Sequence, residues 1–356
     1  MDKTFDWKKS FEESIQTQKK LLEGFETMIN AGDPEPGFSE KTLIYSEDKM
    51  KVYRYKPLVR SVNKIPTLIV YALVNRETMM DLQEDTSFVQ NMLRDGQDLY
   101  IIDWGYPTAE DRYLTLEDYI QGYIDNAVQA VKAHSKKEKI NMLGVCQGGT
   151  FSLIYTSLHP QNINALVTMV APVDFSTDDG LLFRWGKYLD IDKMVDAYGV
   201  IPGDFMNNGF LTMKPISLMV GKYLNLIDDF DKPEVMNNFL RMENWIFDSP
   251  GQAGEAIRQF INDLYKENKL IKGKMMIGDA KVDLKNITMP VLNVYAEKDH
   301  IVPPAASIPL AKYVGTKDIE THGIPTGHIG MYVSSKAKKE VSPLISKWLK
   351  EKSKTK

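Results

Sequence analysis

Residues 140–150 read Ile-Asn-Met-Leu-Gly-Val-Cys-Gln-Gly-Gly-Thr, the most informative stretch of the chain. An apolar run typical of a buried strand is followed by Gly144-Val145-Cys146-Gln147-Gly148 and then by a segment that favours a helix. This is the pattern of a nucleophile elbow, with Cys146 at the tip of a strand-to-helix turn. Side chains two positions before and after the tip would collide in so sharp a turn, so glycine is required there. The sequence therefore predicts that Cys146 is a nucleophile.

Chance accounts poorly for this pattern. Cys146 is the only cysteine, and with 23 glycines in 356 residues two flanking glycines arise by chance about 0.4% of the time. The N-terminus of the predicted helix also favours negative charge, both on a thiolate and on an oxyanion formed beside it. The alternative interpretation is a buried, inert cysteine in a glycine-rich turn.

Apolar runs and helical patterns alternate on both sides of the elbow. Strands are predicted at residues 49–55, 66–74, 98–103, 140–145, 165–170, 290–296 and 318–322, and helices near 88–93, 118–134, 147–158, 305–313 and 335–352. Residues 176–280 break the alternation and read as short helices joined by Gly and Pro turns. We therefore predict an α/β protein with a mostly parallel, doubly wound sheet, interrupted by a mainly helical insertion.

An elbow nucleophile needs a base and an acid that orients it, and these follow the nucleophile in the order acid, then histidine. Asp299 lies just past the predicted strand at 290–296. His328 lies between the last predicted strand and the last predicted helix. These positions predict Asp299 as the acid and His328 as the base. The alternative is an ordinary loop carboxylate and an ordinary loop histidine.

The other histidines fit the role of base less well. His134 and His159 lie at the ends of predicted helices, where surface or capping residues are expected. His322 lies near the last predicted strand but too early in the chain. His300 adjoins Asp299, so we expect it to support the site instead of acting as the base.

Attack on a carbonyl carbon creates an oxyanion that needs two backbone donors. One is predicted to be the amide of Gln147, the residue after the nucleophile. The other is expected in the loop after the predicted strand at 66–74, at Val74 or Asn75. A thiolate that attacks a thioester forms another thioester, so the acyl group stays activated for a second transfer. Cysteine on the elbow therefore indicates acyl transfer from a thioester, although some cysteine hydrolases share the arrangement.

The composition is that of a globular protein, with 43% hydrophobic and 26% charged residues. Lys and Arg number 44 against 48 Asp and Glu, a net charge of −4 that argues against nucleic acid as a partner. A single cysteine precludes an intrachain disulfide, and the first residues lack the apolar region of a secretory signal. No apolar run approaches the roughly 20 residues of a membrane-spanning helix. We therefore expect a cytoplasmic protein, and we see no metal cluster or phosphate loop.

Both terminal segments have patterns of their own. Residues 1–36 place bulky apolar residues at spacings of three, four or seven, which predicts an amphipathic helical segment. Its apolar stripe either packs on its own domain or meets another chain. Residues 336–356 hold eight lysines and two glutamates, a local balance of +6. That pattern is typical of a solvated last helix and tail, and the alternative is contact with an anionic surface or an acidic partner.

Motifs spread over residues 40–350 carry a resemblance to a known family. They are Tyr45-Ser46-Glu47-Asp48-Lys49, Val70-Tyr71-Ala72-Leu73-Val74-Asn75-Arg76, Ile102-Asp103-Trp104-Gly105-Tyr106-Pro107, Gly144-Val145-Cys146-Gln147-Gly148-Gly149, Asn244-Trp245-Ile246-Phe247-Asp248-Ser249-Pro250, Asp299-His300-Ile301-Val302-Pro303-Pro304 and Gly327-His328-Ile329-Gly330-Met331-Tyr332. On these motifs the chain resembles the class III polyhydroxyalkanoate synthases, the catalytic-subunit family that polymerises 3-hydroxyacyl-CoA.

The resemblance implies an α/β-hydrolase fold with a cap domain, for which residues 176–280 are the candidate between core segments 37–175 and 281–356. It implies that Cys146 carries the growing chain as a thioester and that His328 deprotonates the thiol. It implies that Asp299 activates the 3-hydroxyl of the acyl group, directly or through the histidine. The implied substrates are (R)-3-hydroxybutyryl-CoA and its short-chain relatives. Coenzyme A then enters as part of the substrate, and no separate cofactor is expected.

The resemblance also implies partners. These are a second copy of the chain, a second, noncatalytic subunit of the PhaE type, and the surface of polyhydroxyalkanoate granules. Trp245 lies in the predicted cap, where it either lines an acyl tunnel or packs in the core. Together with His300 and Asn75, it is expected to support the site from its surroundings.

Two other functions are compatible with the sequence. A cysteine hydrolase, such as a thioesterase, a dienelactone-type hydrolase or a polymer depolymerase, would use the same triad. A polymerase differs in needing a large apolar cap that excludes water from the acyl-cysteine. A noncatalytic granule-binding or assembly protein of the same fold would have no need for the intact Cys–Asp–His order.

Overall fold

The computed structural model describes residues 37–84, 86–216 and 232–354, together with single positions within 8–22 and 221–229. Of the predicted N-terminal helical segment at 1–36, the described positions between 8 and 22 are helical and exposed. The rest of that prediction lies outside the described residues.

An open sheet forms the centre of the described part of the chain, with eight strands in the spatial order β1-β2-β4-β3-β5-β6-β7-β8. The strands are β1 (Lys41–Glu47), β2 (Met50–Tyr55), β3 (Thr67–Val70), β4 (Leu99–Asp103), β5 (Ile140–Val145), β6 (Ile163–Met169), β7 (Val291–Ala296) and β8 (Ile319–Ile324). β2 pairs antiparallel with β1 and with β4, whereas the neighbours from β4 to β8 are parallel. The carboxyl ends of these parallel strands therefore meet at one edge, and the strand order reverses beside β3.

Helices cover both faces of the sheet and fill the connection between β6 and β7. They are α1 (Phe88–Arg94), α2 (Asp125–Ser135), α3 (Gln147–Leu158), α4 (Leu181–Tyr188), α5 (Ile191–Tyr198), α6 (Gly203–Thr212), α7 (Pro233–Phe247), α8 (Gly254–Phe260), α9 (Pro304–Ser307), α10 (Leu310–Tyr313), α11 (Gly330–Val333) and α12 (Ser342–Lys352). Turns of π-helix at Asp118–Ile124, Ile261–Lys266 and Ala337–Val341 extend α2, α8 and α12. Short 3-10 helices lie at Glu77–Asp81, Ala109–Tyr113, Pro160–Asn162 and Leu284–Asn286.

The central strands are buried on both faces, which explains their continuous apolar runs. In β5 every residue is buried, with Met142 in the cluster on one face and Leu143 in the cluster on the other. The same holds for Leu68 and Ile69 in β3. Each such side chain stabilises the fold by roughly 1.5–3 kcal/mol. The elbow is therefore built on the most deeply buried part of the sheet.

The segment between β6 and β7 adds no described residue to the central sheet. It contains α4 to α8 and two short antiparallel strand pairs, Val200–Ile201 with Gln252–Ala253 and Met276–Ile277 with Ala280–Lys281. The predicted break in the alternation, at residues 176–280, falls within this segment. Among the described residues, no helix combines the length and the apolar character needed to cross a bilayer.

Three details differ from the prediction. Strand β1 was not predicted because it lies at the sheet edge, where its partly exposed residues show no clean alternation. The predicted strand at 66–74 ends at Val70, and the following residues leave the sheet as a loop. The single helix predicted near 305–313 is wrong, since Pro309 has no amide hydrogen to donate and separates α9 from α10.

Candidate active site

Cys146 lies at the tip of the turn from β5 into α3. Its φ of 54° and ψ of −124° are uncommon for a residue other than glycine and store about 1–3 kcal/mol of strain. The turn is fixed because the Cys146 amide donates a hydrogen bond of 2.9 Å to the carbonyl of Met169, at the end of neighbouring β6. The predicted strand–turn–helix around Cys146 is therefore confirmed.

The flanking glycines are required by the close approach of atoms from α3 and from the end of β3. A Cβ added to Gly144 would lie 2.5 Å from Oγ of Ser152. A Cβ added to Gly148 would lie 2.2 Å from the carbonyl oxygen of Val70 and 2.6 Å from that of Tyr71. Glycine thus allows α3 to pack directly onto the end of β3, which brings the loop after β3 beside the nucleophile.

We expect Gly148→Ala to lower the free energy of unfolding by about 3 kcal/mol or more, because the new methyl group overlaps a strand carbonyl that cannot move alone. Gly209→Ala is the matched control, since among the described residues no atom beyond its own stretch of helix lies within 4 Å of its added Cβ. In the interior of α6 this control is expected to stabilise the protein by about 0.5–1 kcal/mol. Urea unfolding gives the free energy of unfolding of both variants. Equal changes of this free energy in Gly148→Ala and Gly209→Ala would contradict the packing argument.

His328 and Asp299 form a buried pair at the same edge of the sheet. The His328 Nδ1 and an Asp299 carboxylate oxygen are 2.7 Å apart, and the two side chains are 7% and 0% exposed. The other Asp299 oxygen accepts hydrogen bonds from the amides of Ile301 at 2.8 Å and Val302 at 2.9 Å. Since Nδ1 is occupied by Asp299, Nε2 is the nitrogen left to exchange a proton with the Cys146 thiol.

Burial lowers the pKa of His328, but the Asp299 carboxylate, followed by Cys146, outweighs this effect and raises the pKa from 6.5 to about 10. A hydrogen bond between His328 and Cys146 contributes to the rise in this pKa. The site therefore favours an imidazolium at His328, which pairs with the nucleophilic sulfur of Cys146 on one side and with the Asp299 carboxyl on the other. Such a pair supplies both a nucleophile and a proton donor for a leaving group.

This shift predicts how the stability of the protein depends on pH. The folded-state pKa of His328 lies above the unfolded value near 6.5, so its stabilising contribution is complete below pH 6.5 and disappears as pH rises through about 10. The difference in unfolding free energy between the wild type and His328→Gln should therefore be largest near pH 6 and shrink towards pH 10. Denaturant unfolding across this range provides the measurement.

The control for this prediction is His322→Gln. His322 contacts Glu320 at 3.3 Å with its side chain 40% exposed, so we expect a change below about 0.5 kcal/mol. A difference for His328→Gln that grows with pH would show that the sign of the pKa shift is wrong.

The predicted oxyanion donors lie next to the elbow. Gln147 is the first residue of α3, where the helix leaves its backbone amides without an acceptor inside the helix. Val74 is partly buried and packs in the same apolar cluster as Cys146. The side chain of Gln147 accepts a hydrogen bond of 3.0 Å from the amide of Leu73, which ties the loop after β3 to the elbow. Both amides remain the candidates for an oxyanion site.

Asn75 and Trp245 join this loop to α7. Asn75 has a φ of 57°, and its Nδ2 donates to the carbonyls of Trp245 and Ile246, both at 3.4 Å. The Trp245 ring is 8% exposed, and its Nε1 donates to the carbonyl of Arg76 at 2.8 Å. The Trp245 indole therefore packs against the loop that follows β3.

His300 follows Asp299 in the chain and is partly buried. Burial lowers its pKa, and Lys214 lowers it further, whereas Asp299 raises it. The remaining histidines lie elsewhere: His134 contacts Tyr100 at 2.9 Å, and His159 stacks on Tyr155 with ring centroids 4.9 Å apart.

Three buried tyrosines, which the sequence reasoning missed, lie close enough to Cys146 to interact with its charge. Burial, and next the Cys146 charge, raise the pKa of Tyr71 and of Tyr265. Burial, then Tyr71 and Cys146, raise the pKa of Tyr332, whose ring lies edge-on to that of His328 at 6.0 Å. Tyr265 belongs to the segment between β6 and β7, so this segment contributes an aromatic side chain to an apolar cluster against which Cys146 packs. Their spacing in the sequence carries no signal of this grouping.

Comparison with known proteins first defines the fold family to which the chain belongs. Residues 66–334 match the alpha/beta hydrolase fold family. A monoacylglycerol lipase from Paleococcus ferrophilus is a structural neighbour with a TM-score of 0.51 and 15% identity, over 85% of this chain and 99% of that one. An esterase from Thermogutta terrifontis has a TM-score of 0.52 and 13% identity, over 88% and 99%. The chain therefore has the α/β-hydrolase fold, as predicted.

Sequence relatives narrow the class. Three proteins described as poly(3-hydroxyalkanoate) polymerase subunit PhaC are about half identical to this chain. They come from Synechocystis sp. (52% identity, 95% of this chain and 92% of the relative), Allochromatium vinosum (51%, 96% and 96%) and Thiocystis violacea (50%, 96% and 97%). The chain belongs to the family of PhaC poly(3-hydroxyalkanoate) polymerase subunits, which confirms the resemblance found in its motifs.

Proposed function

We propose that this chain polymerises (R)-3-hydroxyacyl-CoA, chiefly 3-hydroxybutyryl-CoA, into polyhydroxyalkanoate and releases coenzyme A through an acyl thioester on Cys146. One observation carries the proposal. The elbow cysteine lies beside the buried His328–Asp299 pair in a chain that is half identical to PhaC polymerase subunits.

The proposed reaction begins with acylation. His328 takes the proton from the Cys146 thiol, and the thiolate attacks the thioester carbonyl of the substrate. The amides of Gln147 and Val74 donate hydrogen bonds to the oxyanion of the tetrahedral intermediate. The bond from the acyl carbon to the coenzyme A sulfur then breaks, and His328 returns its proton to the leaving thiolate.

Chain extension uses the same groups. His328 takes the proton from the 3-hydroxyl of a further 3-hydroxyacyl-CoA, and the hydroxyl oxygen attacks the acyl carbon bound to Cys146. An ester forms, and the thiolate leaves. The Cys146 thiolate then attacks the thioester carbonyl of the extended chain, the bond to the coenzyme A sulfur breaks, and His328 gives its proton to the leaving thiolate. We propose that Asp299 acts through the histidine, because its enclosed carboxylate is fully used by His328 and two backbone amides.

Cysteine suits repeated transfer better than serine does. Exchange of one thioester for another keeps the acyl group activated, whereas a serine ester would lose that activation before the next unit arrives. The cost of such a long-lived thioester is sensitivity to water. We therefore propose that residues 176–280 form a cap over a core of 37–175 and 281–356, and the position of Tyr265 near Cys146 supports this.

We also propose partner contacts for the N-terminal segment, residues 1–36. Phe11, Ile15 and Leu22 are 68%, 41% and 70% exposed, and their spacing places them along one face of a helix. An exposed apolar stripe of this kind suits a second chain: another copy of this protein or a noncatalytic synthase subunit of the PhaE type. The proposed location is cytoplasmic, at the surface of the polymer granules.

The decisive test is to incubate the purified chain with (R)-3-hydroxybutyryl-CoA and to follow free coenzyme A and turbidity together. Coenzyme A release with an insoluble polymer is the expected result. Release with free 3-hydroxybutyrate alone would indicate a cysteine hydrolase. No release, even with the second synthase subunit added, would indicate a noncatalytic protein of the same fold.

A further inference from the structure

Side chains from distant parts of the chain hold the loop after β3, defined as residues 71–76. The amide of Leu73 donates to the Gln147 side chain at 3.0 Å, and the carbonyl of Leu73 accepts from Gln252 Nε2 at 2.8 Å. Both backbone groups of the residue before Val74 are therefore occupied. The partner of the amide, Gln147, belongs to α3 behind the nucleophile, and the partner of the carbonyl, Gln252, belongs to the segment between β6 and β7.

Two further bonds hold the ends of the same loop. The indole of Trp104 donates to the carbonyl of Tyr71 at 3.0 Å, and the indole of Trp245 donates to the carbonyl of Arg76 at 2.8 Å. The strand ends at Val70, so the loop makes no strand-to-strand hydrogen bonds, and these side-chain bonds satisfy its backbone groups instead. Both Gln252 and Trp245 are largely buried, at 2% and 8% exposure, so their bonds face little competition from water.

We propose that Gln252 and Trp245 are positioning residues that aim the Val74 amide at the oxyanion formed on Cys146. The inference rests on the proposed function of Val74 as an oxyanion donor. It adds that the donor is in place only when the segment between β6 and β7 is docked on the loop, so that the proposed cap completes the catalytic site as well as covering it.

The physical basis is the strict geometry of oxyanion binding. A donor must lie 2.7–3.1 Å from the oxyanion, and loss of one such donor slows acylation by about 10²–10³-fold. The Leu73 carbonyl and the Val74 amide belong to one planar peptide unit, so removing the Gln252 bond to this carbonyl frees the Val74 amide to turn away. The thiolate itself depends on His328, whereas the hydrogen bonds of the Gln252 side chain go to the carbonyls of Leu73 and Gly251, so the intrinsic reactivity of the thiolate should stay unchanged.

Two reagents separate stabilisation of the oxyanion from the intrinsic reactivity of the thiolate. p-Nitrophenyl butyrate transfers its acyl group to the Cys146 sulfur through an oxyanion, releasing p-nitrophenolate in a burst. Iodoacetamide alkylates the same sulfur by displacement of iodide, with no oxyanion, at a rate set by the thiolate. The ratio of the two rates therefore reports on the oxyanion donors alone.

For Gln252→Met we expect the acylation burst at saturating ester to be at least about tenfold slower than in the wild type. The ester concentration that gives half the maximal burst rate should stay within about twofold of the wild-type value. The rate of alkylation by iodoacetamide should also stay within about twofold. Gln97→Met is the matched control. Gln97 is also fully buried, and its Nε2 donates to the carbonyl of Ser346 at 3.0 Å, far from the loop. This control should keep both rates.

Trp245→Phe gives a second test, because it keeps a buried aromatic ring, although a smaller one, and removes the indole donor to the Arg76 carbonyl. It should lower the acylation rate selectively, and it decides the question if Gln252→Met does not fold. Unchanged acylation, or equal loss of acylation and alkylation, would overturn the inference. Because the burst needs no coenzyme A substrate, a wild type that gives a burst but no polymer would disprove the proposed function separately.

Discussion

Replacing Cys146 by alanine is expected to reduce coenzyme A release from (R)-3-hydroxybutyryl-CoA by at least about 10⁴-fold. Cys146 is the only cysteine of the chain and stands at the strained tip of the elbow, so no other thiol can take the acyl group. Quenched samples assayed for free coenzyme A provide the measurement. Mass spectrometry of the intact protein should show an acyl adduct on the wild type and none on the variant.

Cys146→Ser sharpens this prediction. The hydroxyl keeps the position of the nucleophile, but its ester is too stable to pass the acyl group to the next hydroxyl at a useful rate. We therefore expect slow acylation and no polymer. Turnover retained in Cys146→Ala would refute the assignment of the nucleophile, and polymer formed by Cys146→Ser would refute the argument from thioester exchange.

Replacing Asp299 by asparagine is expected to slow both acylation of Cys146 and chain extension by about 10³–10⁴-fold. The carboxylate touches His328 at 2.7 Å and is completely enclosed, so an amide there would favour the wrong tautomer of the histidine. It would also remove the main cause of the raised pKa of His328. Rapid-quench kinetics with radiolabelled substrate resolves the two steps.

Asp318→Asn is the control for the change of carboxylate to amide. Asp318 pairs with Lys352 at the surface, 2.7 Å away and 47% exposed, and we expect rates within about twofold of wild type. If Asp299→Asn acylates normally but extends the chain slowly, Asp299 serves the substrate hydroxyl directly. That outcome would contradict the role through His328 that the geometry supports.

The elbow could be predicted from the sequence because its constraints are local. A sharp strand-to-helix turn demands glycine at fixed positions, and Gly144 and Gly148 record that demand within five residues. The alternation of buried strands and helices is likewise visible in short windows, because strands buried on both faces must be apolar throughout. Edge strand β1, which has one paired side and little burial, left no such signal.

The order of Cys146, Asp299 and His328 determined which residues belong to the site, since parallel strands bring their carboxyl ends to one edge. Only the tertiary structure decided how these residues meet. It shows the enclosed 2.7 Å contact between His328 and Asp299, and the hydrogen bond from Gln252 to the Leu73 carbonyl, 179 positions away in the chain. The physical reason is the range of the interactions. Backbone sterics and strand burial act between neighbours in sequence, whereas burial of a charge and the aim of a loop amide depend on segments that only the folded sheet brings together.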